Sequence, residues 1–367
     1  MGLKLAIVGA TGLVGQELLA VIDELEPRLD KLGLYASSSS TGIELLVNDQ
    51  PHRVSALDDC DFGQYDAALF SVGDNLSAQY VPIALKAGCK VIDKSNAFRL
   101  DPDVPLVVPG VNEDAVTKDA KLVANPNCTT IILSHALAPI KKSYGLKQVF
   151  AATYQSVSGA GKTGLLTLFD ELKEAGYDEG RFRPDNPFLG QKPAFDDCYT
   201  QDQNPLPGLI AHNVHPQIGK LDADLRCGEE VKLIKESRKI LGLPELQFFA
   251  HSVRVPVPVG HSIAVTFQTE RPAAGFIEMS ATLVAYDYVD YTASQMPTPL
   301  DCAWREFGNV DVGRLRQEDQ LENGWSMFVC GDNLRMGAAH NGWRILELMA
   351  RVGAIPEFVN DLGENNG

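Results

Sequence analysis

The opening of the chain constrains its fold more than any other stretch. The apolar run Leu3-Lys4-Leu5-Ala6-Ile7-Val8 passes straight into Gly9-Ala10-Thr11-Gly12-Leu13-Val14-Gly15, after which Leu18, Leu19, Ile22 and Leu25 fall on one face of a helix. Strand, glycine turn and helix in that order make a cradle for pyrophosphate. The glycines let phosphate approach the backbone, and the helix start presents free N–H groups to it. The spacing is G-x-x-G-x-x-G, a variant of G-x-G-x-x-G. By itself such a turn is only a tight corner; between this strand and this helix it points to dinucleotide binding.

The rhythm continues. Strands are expected at 32–36, 67–71 and 90–93, with a helix from about Ser77 to Ala87, which describes a parallel, doubly wound sheet. The second strand ends in Ser37-Ser38-Ser39-Ser40-Thr41-Gly42, where an NAD site would place a carboxylate for the ribose hydroxyls. Only hydroxyls stand there, which favours NADP, although the serines also read as a plain polar loop. After the strand at 90–93, Arg99 closes Ser95-Asn96-Ala97-Phe98-Arg99 at the carboxyl edge of the sheet. There a guanidinium either clamps a phosphate with two parallel hydrogen bonds or simply faces solvent.

Asn125-Pro126-Asn127-Cys128-Thr129-Thr130 then runs into Ile131-Ile132-Leu133. Pro126 and Asn127 are helix starters, so Cys128 is expected in the first turn of a helix, beside unbonded N–H groups. That position lowers a thiol pKa and offers the same N–H groups to the oxyanion formed when sulfur attacks a carbonyl. The other cysteines (Cys60, Cys89, Cys198, Cys227, Cys302 and Cys330) lack this setting and read as small buried hydrophobes. Their wide spacing, with no C-x-x-C pair, suggests neither a disulfide framework nor a zinc site, and no metal is expected.

The second half has a different texture. A strand over 148–157 leads to Ser158-Gly159-Ala160-Gly161-Lys162-Thr163-Gly164 and a helix through Leu165, Leu168, Phe169 and Leu172. The Gly-Lys-Thr triplet is not a P-loop, because position 156, which would need glycine, is serine. Residues 176–220 read as long loops, and Glu229 and Lys232 share one face of the helix that follows. Prolines interrupt a strand over 251–262, where Arg254 and His261 would point to opposite faces unless the chain bends. Asp332 is a good N-cap for a long final helix reaching Val352, stopped by Gly353 and Pro356 and expected to pack back on the first domain.

With 367 residues the chain is long enough for two domains, and 45% hydrophobic with 22% charged residues describes an ordinary soluble protein. A net charge of -16 argues against nucleic-acid binding, and an anionic substrate would need local basic residues. No apolar run approaches membrane-spanning length. The immediate strand leaves no room for a signal peptide, so a cytoplasmic protein is expected.

Taken together the motifs resemble the aspartate-semialdehyde dehydrogenase family from end to end. The matching pieces are G-A-T-G-L-V-G at 9–15, S-N-A-F-R at 95–99, N-P-N-C-T-T at 125–130, T-Y-Q-S-V-S-G-A-G at 153–161, E-E-V-K at 229–232, V-R-V-P-V-P-V-G-H at 253–261, G-R-L-R at 313–316 and D-N-L-R at 332–335. The resemblance implies an α/β fold: a Rossmann-type dinucleotide-binding domain over 1–126, completed by a C-terminal helix at 332–353, plus an α+β catalytic and dimerisation domain over 127–331. It implies a homodimer joined through that second domain.

It also implies roles. Cys128 would attack the aldehyde of aspartate semialdehyde, with His261 as general base and Gln155 positioning the substrate. Arg254 would pair with the substrate carboxylate, Glu229 with its amino group, and Arg99 and Lys232 with phosphate; Asn127 belongs to the same substrate set. Gly9, Thr11, Gly12, Leu13, Val14, Ser37, Ser38, Ser39, Thr41, Ser158, Gly159, Gly161 and Asn333 would bind NADP. Hydride would pass to NADP, and phosphate would then release aspartyl phosphate from a thioester. In cells the reverse would feed lysine, threonine, methionine and isoleucine synthesis.

Two departures stand out: Ser39 where many members carry arginine, and Gly110 where many carry glutamate. N-acetylglutamyl-phosphate reductase shares the architecture and the cysteine chemistry, but a glutamate placed for a free ammonium argues against an N-acylated substrate. A non-catalytic paralogue would be expected to lack Cys128 or His261, and both are present.

Overall fold

The structure, a computed structural model, describes residues 2–175, 206–294, 296–303, 305 and 308–359. The first layer is built from β1 (Leu3–Val8), α1 (Leu13–Leu25), β2 (Leu29–Ala36), a hairpin of β3 (Glu44–Val47) and β4 (Gln50–Arg53), β5 (Ser55–Ala56), β6 (Ala67–Phe70), α2 (Asp74–Lys86), β7 (Lys90–Asp93) and β8 (Leu122–Ala124). Its sheet runs β5-β2-β1-β6-β7-β8, every neighbouring pair parallel. Leu3, Leu5, Ala6, Ile7 and Val8 of β1 are fully buried, as expected of a central parallel strand covered on both faces. The chain winds away from β1 through β2 on one side and through β6 to β8 on the other. The topological switch therefore opens a crevice at the carboxyl ends of β1 and β6.

The second layer comprises α3 (Cys128–Tyr144), β9 (Gln148–Gln155), α4 (Gly161–Ala175), α5 (Gly228–Leu241), β10 (Gln247–Arg254), β11 (His261–Gln268), α6 (Phe276–Val284), β12 (Val289–Tyr291), α7 (Pro299–Cys302), β13 (Val310–Glu318) and β14 (Gly324–Gly331). The mixed sheet runs β10-β9-β11-β14-β13-β12, parallel at its two outer pairs and antiparallel within. On one face Ile132, Leu137 and Ile140 of α3 pack with Leu233 of α5, Met279 of α6 and Val149, Val265, Phe267 and Trp325 of the sheet. Period-two alternation sends Phe150 and Tyr154 of β9 to the opposite face. They stay 40% and 41% exposed there, beside Phe249, which stacks on Phe150 at 4.9 Å.

The chain then returns to the first layer through a π-helical turn, Arg335–Ala339, and α8 (His340–Arg351). Trp343, Ile345, Leu346 and Met349 join Leu3, Leu5, Ile7 and Ile22 in one core, and Arg335 pairs with Glu17 and Glu24 of α1 at 2.9 and 2.6 Å. Asp332 does cap this segment, its Oδ1 accepting from the N–H groups of Leu334 and Arg335, but the first turn is widened rather than α-helical.

Some expected boundaries shift. The helix expected from Ser77 starts at Asp74, and the strand expected over 148–157 stops at Gln155. The strand expected over 251–262 is two strands, β10 and β11, joined by a proline-bearing bend at 255–260. Residues 176–205 of the expected loop, with Cys198, lie outside the described residues; 206–220 carry no helix or strand.

Candidate active site

Cys128 is the first residue of α3. Asn127 caps that helix, its Oδ1 accepting from Thr129 N–H at 2.9 Å, so its side-chain oxygen is committed to the cap. Across the cleft, Nε2 of His261 lies 3.3 Å from Cys128 Sγ. His261 opens β11 just after the bend at Gly260, and that bend is what lets it share a cleft with Arg254 from the end of β10.

The ring orientation of His261 is set from behind. The Ser156 N–H donates to Nδ1 at 3.1 Å, so Nδ1 is an acceptor and the neutral ring carries its proton on Nε2. Burial, reinforced by the Arg254 guanidinium and opposed by a backbone contact to Gly260, holds the imidazole well below its ordinary pKa, so the ring is neutral. His261 thus faces the sulfur as a hydrogen-bond donor. Removal of the thiol proton by Nε2 would need the other tautomer, which the Ser156 N–H opposes.

The sequence led us to expect a lowered thiol pKa. The structure gives the opposite direction: burial, then the charge of Glu229, push the Cys128 thiol up, while Lys94, Arg254 and Arg99 pull it down. Local sequence shows the helix start but not how much of the fold packs around the sulfur, which is half-buried.

Gln155 and Glu229 meet on one wall. Gln155 Nε2 donates to Glu229 Oε1 at 3.1 Å, and the other carboxylate oxygen lies 3.5 Å from Lys232 Nζ. Arg254, itself buried, donates from Nη1 to the Ser156 carbonyl at 2.8 Å. Arg99 is more committed to the protein than a simple phosphate clamp: Nη1 pairs with Glu236 at 3.0 Å, while Nε and Nη2 donate to the carbonyls of Asn125 and Lys94.

Sequence reasoning missed four contributors. Glu236, on α5, is fully buried and bridges Arg99 to the Asn127 N–H at 2.7 Å, tying the phosphate candidate to the start of α3. Ser156 orients the imidazole. Lys94 directly follows β7; Asp93 beside it is taken by the hydroxyls of Ser77 and Ser95 at 2.7 and 2.6 Å. Among the described residues the Lys94 ammonium has no ion pair or hydrogen bond, and its charge acts on Cys128. Gly337, in the π turn, is the fourth: a Cβ there would stand 2.9 Å from the Cys128 Cβ, so only glycine lets this turn close over the nucleophile.

The glycine turn has the shape of a phosphate cradle. A Cβ at Gly9 would meet the Ser71 carbonyl oxygen at 2.3 Å, and one at Gly15 the Gly9 carbonyl oxygen at 2.2 Å. Gly12 is the N-cap of α1, so the first-turn N–H groups of Leu13 and Val14 face the crevice, and these residues fit a pyrophosphate. Thr11 Oγ1 reaches Ser40 Oγ at 3.5 Å, linking the cradle to the exposed run Ser37, Ser38, Ser39 and Thr41.

Of the remaining cofactor candidates, Ser158 and Asn333 bond one another, and Asn333 Oδ1 also accepts from Gly260 N–H and Ser156 Oγ at 2.9 Å each. This network fixes the strand ends that carry Ser156 and His261. Gly159 lies against Arg254, and Gly161 begins α4. The glycine turn and Ser37–Thr41 loop thus form one cluster; Cys128, Gln155, Glu229, Lys232, Arg254 and His261 form another, with Ser158, Gly159 and Asn333 at its edge.

Comparison with known proteins agrees. A family model described as "Semialdehyde dehydrogenase, NAD binding domain" matches residues 4–119, and one described as "Semialdehyde dehydrogenase, dimerisation domain" matches 137–336. The aspartate-semialdehyde dehydrogenase of Bacillus subtilis is 35% identical over 96% of this chain and 99% of its own, and that of Aquifex aeolicus 38% over 97% and 100%. Among solved structures, aspartate semialdehyde dehydrogenase II from Vibrio cholerae matches with a TM-score of 0.85 and 35% identity, covering 96% of this chain and 99% of that one; it is also known complexed with ASA. The fold, the binding domain for a nicotinamide dinucleotide, and near-complete coverage in both directions place this chain in the aspartate-semialdehyde dehydrogenase family.

Proposed function

We propose that the chain is an NADP-dependent aspartate-semialdehyde dehydrogenase that reductively dephosphorylates L-aspartyl 4-phosphate through a thioester on Cys128. The observation that carries the reading is the sulfur at the start of α3, 3.3 Å from a neutral Nε2 and close to three basic side chains. In the first step the Cys128 sulfur attacks the acyl carbon, the bond from that carbon to the phosphate oxygen breaks, and phosphate leaves with the electron pair and takes up the proton that the thiol gives up; solvent restores that proton at the end of the cycle. Arg99 and Lys232 hold the phosphate, Arg254 the substrate carboxylate and Glu229 its ammonium; Gln155 is held by Glu229 beside the reacting carbon.

A nicotinamide dinucleotide, when bound, would supply the hydride for the thioester carbon. An oxyanion at that carbon is met by the first-turn N–H groups of α3 and the Nε2–H of His261, preorganised donors. Collapse expels the thiolate and frees the semialdehyde. The thiolate regains its bond from Nε2–H, and the proton stays on the ring.

The reading takes residues 1–126 with the helix at 332–353 as the cofactor domain, and 127–331 as the catalytic and dimerisation domain. It includes a homodimer. The open face around Phe150, Tyr154 and Phe249 supports that, because a sheet face carrying exposed aromatics calls for a cover. Size-exclusion chromatography with light scattering should give a dimer, and a monomer with Phe249→Asp. A monomeric wild type would remove this part.

The activity test is NADPH formation from aspartate semialdehyde and NADP, with and without phosphate, repeated with NAD and with N-acetylglutamate semialdehyde. Phosphate-dependent turnover of the unacylated substrate, faster with NADP, is expected. Turnover only of the acylated substrate, or of neither, would overturn the proposal.

A further inference from the structure

We infer that Arg53 supplies the guanidinium that reads the cofactor's 2′-phosphate, at a loop whose own serine run contains no basic residue. The inference rests on the NADP reading above and names the residue that would enforce it.

Beyond the end of β2, residues 37–43 lie against the segment that follows β4. The Gly42 N–H donates to the Val54 carbonyl at 2.9 Å, and the Val54 N–H to the Ile43 carbonyl at 2.8 Å. Ser55 and Ala56 then pair with Tyr35 and Ala36. Arg53, the last residue of β4, is thereby fixed beside the serine loop although it stands more than ten positions further along the chain.

Its side chain lies on that loop. Gly42 has φ +89, and a Cβ built there would have only Arg53 within 4 Å, with Nη2 at 3.6 Å and Nε at 3.9 Å. The guanidinium therefore rests against the bare face of Gly42. It is exposed, and among the described residues it has no ion pair or hydrogen bond, not even with Glu44, its register partner across the β3–β4 hairpin. Thr11 ties the same loop to the pyrophosphate cradle, and no Asp or Glu lies between Ser37 and Ile43 to repel a second phosphate.

This corner is where a doubly wound sheet places the adenosine ribose, beyond the end of the second strand. A forked guanidinium there offers parallel charge-assisted donors to phosphate, and the hydroxyls of Ser37 and Ser39, 2.9 Å apart, can complete the set. Gly42 keeps the space above the fork clear: any side chain would sit on it and would be strained at that φ.

The test is calorimetric binding of adenosine 2′,5′-bisphosphate and of 5′-AMP to the full-length protein and to Arg53→Gln, with KM for NADP and NAD measured alongside. The wild type should prefer the bisphosphate. Arg53→Gln should weaken bisphosphate binding about tenfold or more at low salt and leave 5′-AMP unchanged, with KM rising for NADP alone. Unchanged bisphosphate binding, or equal weakening of both ligands, in a variant of a wild type that does prefer the bisphosphate would overturn the role of Arg53. A wild type that does not distinguish the two ligands would instead overturn the NADP reading beneath it.

Discussion

Replacing Gly337 by alanine puts a methyl group where the first turn of α3 already sits. The added Cβ would stand 2.9 Å from the Cys128 Cβ and 3.3 Å from both the Cys128 Cα and the Asp332 carbonyl oxygen. Carbon atoms in good contact lie roughly 3.5–4.0 Å apart, so on the order of half an ångström to one ångström must be found. None of the three atoms is the far end of a flexible side chain, so either the π turn or the start of α3 has to move.

Overpacking of this kind costs about 1–3 kcal/mol, and a displacement near 1 Å at a reacting group costs roughly 10²-fold in rate. The expected outcome is a kcat lower by about 10- to 100-fold, with cofactor affinity retained because none of the three atoms that the methyl group meets belongs to the glycine turn before α1. Steady-state kinetics, dinucleotide titration and urea unfolding measure the three quantities on one preparation. Wild-type kcat in a stably folded Gly337→Ala protein would refute the claim that this glycine positions the nucleophile.

Two further predictions follow from the charges around the sulfur. Burial pushes the Lys94 ammonium down to about 8, so it is cationic below that pH and neutral above it, and its support for the Cys128 thiolate fades as pH rises through about 8. In Lys94→Met the pH profile of Cys128 alkylation by iodoacetamide should move to higher pH; an unmoved profile would show that Lys94 does not act on the thiol. Replacing Glu236 by leucine leaves Arg99 without its anionic partner and the Asn127 N–H without its acceptor, and breaking a buried pair in this way costs roughly 3–5 kcal/mol. Urea unfolding should show that loss together with a raised KM for phosphate, and unaltered stability would mean that Glu236 is not the anchor described above.

What could be read from the sequence was whatever depends on neighbours along the chain. The glycine turn, the strand-and-helix rhythm of the first sheet and the placing of Cys128 at a helix start all follow from local periodicity and helix-start chemistry. The rest depends on residues distant in sequence. His261 meets Cys128 only because β11 lies antiparallel to β9 and starts after the bend at Gly260, and its tautomer depends on a backbone N–H at Ser156. Glu236 belongs to no motif, yet it completes Arg99 from 137 positions away.

Gly110 shows the same limit. A Cβ there would meet the Tyr288 ring at 2.3 Å, a ring that also stacks on the buried His135 and lies under Arg344. The aromatic group thus fills the space that a glutamate side chain would need, and no local pattern announces it. The thiol pKa is a further case, since the helix start argues one way and burial wins.

The central claim is that Cys128 carries the acyl group. Mixing the protein with aspartate semialdehyde and NADP in the absence of phosphate, then quenching for intact-mass and peptide analysis, tests it most directly. The account predicts a burst of about one NADPH per active site and an aspartyl adduct on the peptide containing Cys128, discharged when phosphate is added. An adduct on another residue, or NADPH formation that persists in Cys128→Ser, would contradict it.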